Sequence, residues 1–217
     1  MKHRISMLWP DGLKKAVTFS YDDGVMQDLR LTALFRRYGL KATFNLNSGF
    51  FGQIDSSLQK GREIDHSHVP EEDVACVYAG FECAVHTAHH PWLTQLSAVN
   101  AAEEILSDRA AIEAVIKQPV RGMAYPFGAF DDDTVSALRT CGIRYARTVV
   151  STHSFALPKD WLRLEATCHH DDPALMSLAD RFLTEPVKYA SRMFYVWGHA
   201  YEFDGDGNWQ LVEQLGK

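Results

Sequence analysis

The chain of 217 residues is long enough to form one domain of ordinary size with a substantial core. Hydrophobic residues make up 46% of it and charged residues 23%, a balance that is typical of globular proteins and excludes the disordered classes. Its formal net charge is −6 and it has no basic block, so we expect it to bind neither nucleic acid nor an anionic membrane.

Strand-like apolar runs alternate with amphipathic segments along most of the chain. AVTFSY (16–21) predicts a buried strand, QDLRLTALFRRYG a helix that stops at Gly39, and KATFNLN the next strand. After a less regular stretch (49–75), ECAVH (82–86) predicts a strand and TQLSAVNAAEEILSDRAAIEAVIKQP the longest helix. The remaining predicted elements are the strand VRGMAY, the helix DDTVSALRTCG, the strands IRYARTV and RLEATCH, the helix DPALMSLADRFL and the strand RMFYVWGH. This alternation indicates parallel strands joined by helical crossovers, in one domain over residues 1–217.

The N-terminal residues MKHRISMLWPDGLKK lack the apolar core of a secretory signal, and no later window approaches the length of a membrane span. We therefore expect a cytoplasmic protein. The four cysteines form no CxxC pair, so in a reducing compartment we expect free thiols at Cys76, Cys83, Cys141 and Cys168.

Two strand ends carry residues with catalytic chemistry, and in parallel α/β folds the loops at these ends converge on one crevice. The first strand ends in the doublet Asp22-Asp23 before Gly24, a pattern that alone is also typical of a turn. ECAVH is followed by HTAHHP, in which His86 and His90 are spaced to bind one metal ion. Two imidazoles and one carboxylate leave a coordination position for water, and the second carboxylate is then free to act as a base.

These two motifs resemble those of the polysaccharide deacetylases of carbohydrate esterase family 4, also called the chitooligosaccharide deacetylase homology domain. TFSYDDG matches the Thr-Phe-Asp-Asp-Gly type with two extra residues, and HTAHHP matches His-Ser/Thr-x-x-His-Pro. The resemblance implies that Asp22 is the general base and that Asp23, His86 and His90 bind a divalent metal. We expect zinc, with cobalt, nickel and manganese as alternatives. The implied fold is α/β, a distorted or incomplete (β/α) barrel of seven or eight strands.

The third family motif, of the Arg-Pro-Pro-Tyr-Gly type, corresponds to RGMAYPFG (121–128). The resemblance implies that the backbone N–H of Phe127 helps to bind the oxyanion, with Tyr125 and Pro126 in contact with substrate.

The family arginine of that motif is absent, because Ala124 stands at its position. Arg121 lies three residues earlier and would face the opposite side of a regular strand. Arg147 and Arg163 are the candidate replacements, and we prefer Arg163 slightly.

Two more family motifs have counterparts nearer the C-terminus. Asp160-Trp161 is similar to the fourth motif, so Trp161 is a candidate to line the pocket, although a surface loop explains it equally well. The strand MFYVWGH reaches His199 as the fifth motif does, which implies that His199 is the general acid. Trp197 is expected in the core, within reach of the pocket rim.

Other histidines are less informative. In CHHDD (168–172) we expect His169 or His170 to contact substrate, and a second metal bound with Asp171 is an alternative. His66 and His68, in the less regular stretch, are expected to be exposed loop residues.

The predicted function is metal-dependent removal of an acetyl group from an N- or O-acetylated carbohydrate. Two alternatives stay open: hydrolysis of another C–N amide bond, as in a cyclic ureide, and a sugar-binding or regulatory module that keeps the metal but has lost catalysis. The expected partner is an acetylated sugar or a related small molecule, and homo-oligomer formation is not decided. Because the sequence ends soon after EFDGDGNWQLVEQLGK, a shortened barrel with an open edge is a further expectation.

Overall fold

The computed structural model describes residues 8–187 and 190–217 and contains one sheet of eight parallel strands, in the order β8-β7-β6-β5-β2-β1-β10-β9. Its strands are β1 Lys15–Asp23, β2 Ala42–Leu46, β5 Glu82–Val85, β6 Gly122–Ala124, β7 Tyr145–Ser151, β8 Leu164–Ala166, β9 Cys168–His169 and β10 Arg192–His199, and a separate antiparallel hairpin is formed by β3 Ser56–Gln59 and β4 Arg62–Asp65. The helices are α1 Asp28–Tyr38, α2 Glu71–Val77, α3 Ala98–Ile116, α4 Asp132–Thr140, α5 Leu175–Thr184, α6 Glu202–Asp206 and α7 Gln210–Leu215.

The two outer strands of the sheet are consecutive in the chain, and this nearly closes the sheet into a barrel. β8 pairs with β7, β9 pairs with β10, and only Thr167 separates them. The Thr167 N–H donates to the Tyr195 carbonyl at 2.8 Å, and the His153 N–H donates to the Thr167 carbonyl at 2.8 Å. The predicted distorted (β/α) barrel is thus confirmed, and Thr167 connects the two outer strands of its sheet.

The strands of the barrel alternate between an inner and an outer face. On β10, Met193, Tyr195 and Trp197 pack with Leu164 and Ala166 of β8 inside the barrel. The intervening side chains of β10 join the larger core between the sheet and the helices. The inward-facing row of β10 ends at His199, which places that imidazole at the carboxyl end of the barrel.

The larger core packs the outer face of the sheet against the helices. Phe35 of α1 is buried against Phe19 of β1, with 5.0 Å between ring centroids. Burial of each such side chain contributes about 1.5–3 kcal/mol to stability. As predicted, α1 ends at Gly39, whose φ of 69° provides the left-handed C-cap.

The stretch 49–75 is an ordered insertion that the sequence did not resolve. It contains the β3–β4 hairpin and begins α2. The Val69 N–H donates to the Gly24 carbonyl at 2.9 Å, and the Met26 N–H donates to the Ser67 carbonyl at 2.8 Å. The insertion is therefore fastened to the loop that follows β1.

The four cysteines all lie in the described part of the chain and are unpaired, as expected. Within residues 8–187 and 190–217, no helix combines the length and the apolar character that crossing a bilayer requires.

Candidate active site

The two adjacent acids at the end of β1 occupy different environments. Asp22 is 2% exposed and lies inside the barrel, whereas Asp23 keeps part of its side chain accessible. Asp23 has a φ of 78°, and Gly24 continues this left-handed turn with a φ of 68°. Such a conformation strains a non-glycine residue and persists only where the surrounding structure holds it. The turn therefore separates two carboxylates that are neighbours in the sequence.

Asp22 is held by a buried arginine and a buried amide. The Arg147 side chain has no exposed surface, and its guanidinium forms an ion pair with Asp22 Oδ2. Asn45 Nδ2 donates to Asp22 Oδ1 at 2.8 Å, so both carboxylate oxygens have a partner. Burial alone would raise the pKa of Asp22, but the charge of Arg147, aided by the neighbouring imidazoles, holds that pKa below its ordinary value. Asp22 is thus ionised at neutral pH.

The slight preference for Arg163 over Arg147 is corrected by this geometry. Arg163 lies at the surface immediately before β8, where it pairs with Asp132. Arg147 lies within β7 on a row that faces the barrel interior, and its guanidinium therefore reaches across to Asp22. Arg147 thus places a positive charge beside Asp22.

Three side chains with metal-ligand chemistry converge beside Asp22. His86 Nε2 lies 3.1 Å from His90 Nε2 and 3.6 Å from Asp23 Oδ1. In a tetrahedral site with zinc–ligand bonds of about 2.0–2.1 Å, neighbouring ligand atoms lie about 3.3 Å apart. The group Asp23, His86 and His90 therefore fits an ion of this size.

Hydrogen bonds around His86 determine which ring nitrogen faces the other two ligands. His86 Nδ1 donates to the Ala124 carbonyl at 2.8 Å, because a carbonyl oxygen can only accept, and this leaves the lone pair on Nε2. The loop turns back at His90, whose φ is 51°. Burial, with a smaller effect of His86, lowers the pKa of His90 to about 4, so its imidazole is neutral, as metal binding requires.

His199 ends β10 on the other side of Asp22. Its Nε2 lies 3.9 Å from Asp22 Oδ2, and its Nδ1 lies 3.3 Å from Glu202 Oε1. Burial alone would lower the pKa of His199, but its contact with Glu202 and the charge of Asp23 raise the pKa to about 9. His199 is thus protonated at neutral pH.

The turn after β6 presents one aromatic side chain and buries two other residues. Phe127 has a φ of 57°, is 49% exposed, and lies 4.4 Å from the His90 ring centroid. Tyr125 is fully buried and its hydroxyl donates to the Leu162 carbonyl at 2.8 Å, and Pro126 is also buried. Both buried side chains thus shape the turn that presents Phe127, and contact of Tyr125 and Pro126 with substrate stays a prediction.

The two candidate pocket tryptophans lie in different parts of the barrel. Trp161 is at the amino-terminal end of the barrel, where it borders an apolar cavity of about 210 Å³ with Trp9. Its predicted place in the substrate pocket is wrong, because it precedes a strand instead of following one. Trp197 is mostly buried, with its ring centroid 4.4 Å from the Arg147 guanidinium and 5.7 Å from the His199 ring, so it packs between these two residues, and its reach to the pocket rim stays a prediction.

The histidine pair after β9 lies next to His199. The His169 ring centroid is 6.2 Å from that of His199, and its side chain is partly exposed. His170 is 1% exposed and stacks on Phe203 at 4.2 Å, so its burial gives the expected contact of His170 with substrate no support. For His169 substrate contact stays a prediction.

A cavity of about 380 Å³ opens beside Asp23 and His90, and the insertion forms much of its wall. The ring of His66 lies 4.7 Å from that of Tyr201, and His68 is buried. The expectation that His66 and His68 are exposed loop residues is therefore wrong. The signal that could have found them is a pair of histidines in a polar stretch between the two strand-end motifs.

Sequence reasoning also missed two polar partners of the site. Glu202 lies three residues after His199, a spacing that brings side chains together on one helical turn and could have shown this contact. Asn45 lies near the end of β2, the strand beside β1, but its sequence position alone does not distinguish it from a solvent-exposed strand residue.

Comparisons with known proteins agree with this fold. The sequence profile of the family described as "Polysaccharide deacetylase" matches residues 10–146, more than half of the chain. The family 4 carbohydrate esterase from Streptomyces lividans, solved in complex with acetate, shares 15% identity and a TM-score of 0.56, over 92% of this chain and 86% of that one. No curated protein matches the chain.

Two further solved structures are longer than this chain. The Streptococcus pyogenes deacetylase PplD, in complex with acetate, has 19% identity and a TM-score of 0.58, over 67% of this chain and 61% of that one. A CE4 family pseudoenzyme from Bacillus anthracis has 18% identity and a TM-score of 0.59, over 98% of this chain and 64% of that one. The chain thus spans less than two thirds of both proteins, and at these identities the likeness shows the fold alone.

Proposed function

The chain belongs to the polysaccharide deacetylase family, and we propose that it is a metal-dependent hydrolase that removes an acetyl group from an N- or O-acetylated carbohydrate. The observation that carries the proposal is that Asp22 and Asp23, which are adjacent in the sequence, have different surroundings. Asp23 faces two imidazoles at ligand spacing, whereas Asp22 is buried against an arginine and an amide. One strand end thus supplies a metal ligand and a separate base.

Asp23, His86 and His90 would hold the metal, and the two-nitrogen, one-oxygen ligand set favours zinc. When bound, the metal supplies Lewis-acid chemistry: it polarises the acetyl carbonyl and lowers the pKa of water.

Asp22 takes the proton of the attacking water. Its Oδ2 lies 3.9 Å from the ligand atom of His86, so the carboxylate is beside the metal group without belonging to it. The lowered pKa keeps Asp22 ionised and ready to accept a proton at neutral pH. Arg147 and Asn45 fix the orientation of the carboxylate.

His199 donates a proton to the leaving group. Its Nε2 lies 3.9 Å from Asp22 Oδ2. Glu202 Oε1 lies 3.3 Å from Nδ1 on the other side of the ring and keeps the imidazole charged. Base and acid thus lie on adjacent strands, because Asp22 and His199 are partners in the β1–β10 register. Reacting atoms placed between these two side chains are within reach of both.

The backbone N–H of Phe127 would bind the oxyanion. Its left-handed conformation holds the turn beside His90. A fixed donor of this kind contributes about 3–4 kcal/mol of transition-state stabilisation.

An exposed aromatic pair next to the metal group supports a carbohydrate substrate. The rings of Trp92 and Phe127 are stacked at 4.3 Å and 8°, and the two residues are 45% and 49% exposed. Exposed aromatic surface beside a polar cavity is typical of a binding site, and the flat shelf matches the apolar face of a sugar ring. The histidine-rich cavity wall would bind its hydroxyl groups.

The position of Arg147 also bears on the alternative of a module that has lost catalysis. That alternative rested on the absent family arginine, and the structural likeness to a pseudoenzyme keeps it in view. A guanidinium at Asp22 supports a working base, so the catalytic proposal is preferred.

The direct test measures acetate released from a panel of N- and O-acetylated mono- and oligosaccharides, with zinc, cobalt, nickel or manganese added to metal-free protein. The proposal predicts metal-dependent acetate release from at least one sugar. Ring opening of a cyclic ureide such as allantoin, without acetate release from any sugar, would favour the other C–N hydrolase. Sugar binding without turnover of any compound would favour the impaired module.

A further inference from the structure

A second group of ligand-type side chains lies behind His199, and the proposed reaction leaves its two histidines without a role. His169 Nε2 lies 3.2 Å and His170 Nε2 lies 3.3 Å from the same atom, Glu202 Oε2. The three ligand atoms are within 4.8 Å of one another. They are brought together by the segment that ends β9 and by the start of α6.

His170 gives an independent indication that this group binds a ligand. Its side chain has no exposed surface; among the described residues Nδ1 has no hydrogen-bond partner, and Nε2 faces Glu202 Oε2 at 3.3 Å without the geometry of a hydrogen bond. The ring is held between Phe203 at 4.2 Å and Tyr21 at 5.7 Å, so it cannot turn to find one. Buried polar atoms are normally satisfied, and a cation facing Nε2 would satisfy this one.

The neighbouring strand leaves space for this imidazole. A Cβ atom at Gly198 would lie 2.1 Å from His170 Nδ1, so only glycine permits the ring to lie there. Gly198 lies within β10, where a side chain would otherwise add to the core. The local fold is therefore organised around a buried histidine that makes no hydrogen bond.

The distances match metal coordination. With bonds of about 2.0–2.1 Å, tetrahedral ligand atoms lie about 3.3 Å apart, close to both separations from Glu202 Oε2. His169 Nδ1 lies 2.6 Å from Asp171 Oδ1. A carboxylate on the far nitrogen is the usual outer partner of a metal-binding histidine, and it leaves Nε2 as the ligand atom.

We propose that His169, His170 and Glu202 form a second divalent-metal site, separate from the group Asp23, His86 and His90. Two imidazoles and one carboxylate suit zinc. Glu202, and not Asp171, is the carboxylate ligand, and Asp171 orients His169.

Glu202 connects this second site with the proposed general acid. Its Oε2 faces the two histidines, and its Oε1 lies 3.3 Å from His199 Nδ1. A cation on Oε2 fixes the carboxylate and thereby the orientation of His199. The second metal thus has a positioning role and does not touch the reacting atoms.

The test counts zinc bound to the full chain. Metal-free protein is titrated with Zn²⁺ and the bound metal is measured after dialysis. We expect two equivalents in the wild type, one in Asp23→Asn, one in His169→Ala and none in the double variant. His169→Ala is preferred to a His170 variant because His169 is partly exposed, whereas the His170 side chain has no exposed surface.

Histidine ring spectra identify the ligands. In Asp23→Asn, zinc should shift the ¹⁵N resonances of His169 and His170 Nε2, which a purely structural cluster would not show. His153→Ala is the matched control, because His153 Nε2 also lies 2.6 Å from a carboxylate, that of Asp172, but is exposed; this variant should keep two equivalents.

One equivalent in the wild type, with none left in Asp23→Asn, would overturn the second site and leave the deacetylase proposal intact. Two equivalents retained in His169→Ala would overturn it equally. Sugar deacetylation is measured separately, so failure of the proposed function does not affect this count.

Discussion

The two ends of the barrel are formed by the same strands but carry different chemistry. At the amino-terminal end the interior is filled by apolar side chains such as Leu164 and Met193. At the carboxyl end the inward-facing rows finish in Asp22 and His199, surrounded by strained turns. Only the loops that follow the strands converge on the site, so a candidate residue is best judged by whether it precedes or follows its strand.

Asp22→Asn is expected to have the largest effect on activity, because it removes the proposed base while keeping the shape of the side chain. General base catalysis contributes about 10²- to 10⁴-fold, so kcat for acetate release should fall by that factor. Asp160→Asn, at the amino-terminal end, is the control and should keep wild-type kcat. Equal rates for Asp22→Asn and wild type would end the assignment of Asp22 as the base.

Arg147→Met should destabilise the fold, whereas Arg163→Met should not. Removing one partner of a buried ion pair costs about 3–5 kcal/mol of unfolding free energy, while an exposed pair contributes about 0–1 kcal/mol. Urea unfolding of both variants measures the difference.

The sign of the pH dependence follows from the lowered pKa of Asp22. A lowered folded-state pKa contributes stability above the unfolded value of about 3.9, and this stability is lost as pH falls through the folded pKa. The difference in unfolding free energy between wild type and Arg147→Met should therefore become smaller at acid pH. A difference that is constant with pH would mean that the ion pair is not its cause.

Glu202→Gln should move the alkaline limb of the kcat profile. The general acid must be protonated, so wild-type kcat should fall as pH rises through the His199 pKa of about 9. Without the carboxylate that pKa moves towards the unperturbed value of about 6.5, and the limb should move to lower pH. Glu185→Gln, far from the site in contact with Arg192, should leave the profile unchanged. If the alkaline limb does not move in Glu202→Gln, Glu202 does not set the pKa of the general acid His199.

The smallest expected effect is a change in KM on substitution of the exposed Trp92, which substitution of the exposed Trp161 should not cause. Trp92→Ala should raise KM for the sugar about 2- to 10-fold, since an aromatic contact contributes about 0.5–1.5 kcal/mol. Trp161→Ala, at the other end of the barrel, should leave KM and kcat unchanged. The reverse pattern would place the substrate at the amino-terminal end.

Much of the fold follows from periodicity, because the strands of the sheet are apolar runs and α1 and α3 have clear stops. The β3–β4 hairpin could not be predicted in this way, since its strands are short and mostly exposed. The segment RLEATCH, which contains β8 and β9, has the sequence pattern of one strand. Only the pairing of β8 with β7 and of β9 with β10 shows that it connects the two edges of the sheet.

The site was predictable where motifs are local and not where contacts cross the barrel. Asp22, Asp23, His86, His90 and His199 follow from motifs at strand ends. Arg147 is 125 positions from Asp22, and no local pattern distinguishes it from Arg163; the alternation of β7 across the interior does. Trp161 was placed by composition alone, which does not specify an end of the barrel.

Zinc stoichiometry of the matched variants Asp22→Asn and Asp23→Asn tests whether Asp22 and Asp23 have separate roles. Each is compared with wild type after metal removal and reloading, and circular dichroism checks that both are folded. We expect Asp22→Asn to bind as much zinc as wild type and Asp23→Asn to lose one equivalent. If Asp22→Asn lost one equivalent of zinc, or if Asp23→Asn kept as much zinc as wild type, the separate roles of Asp22 and Asp23 would be contradicted.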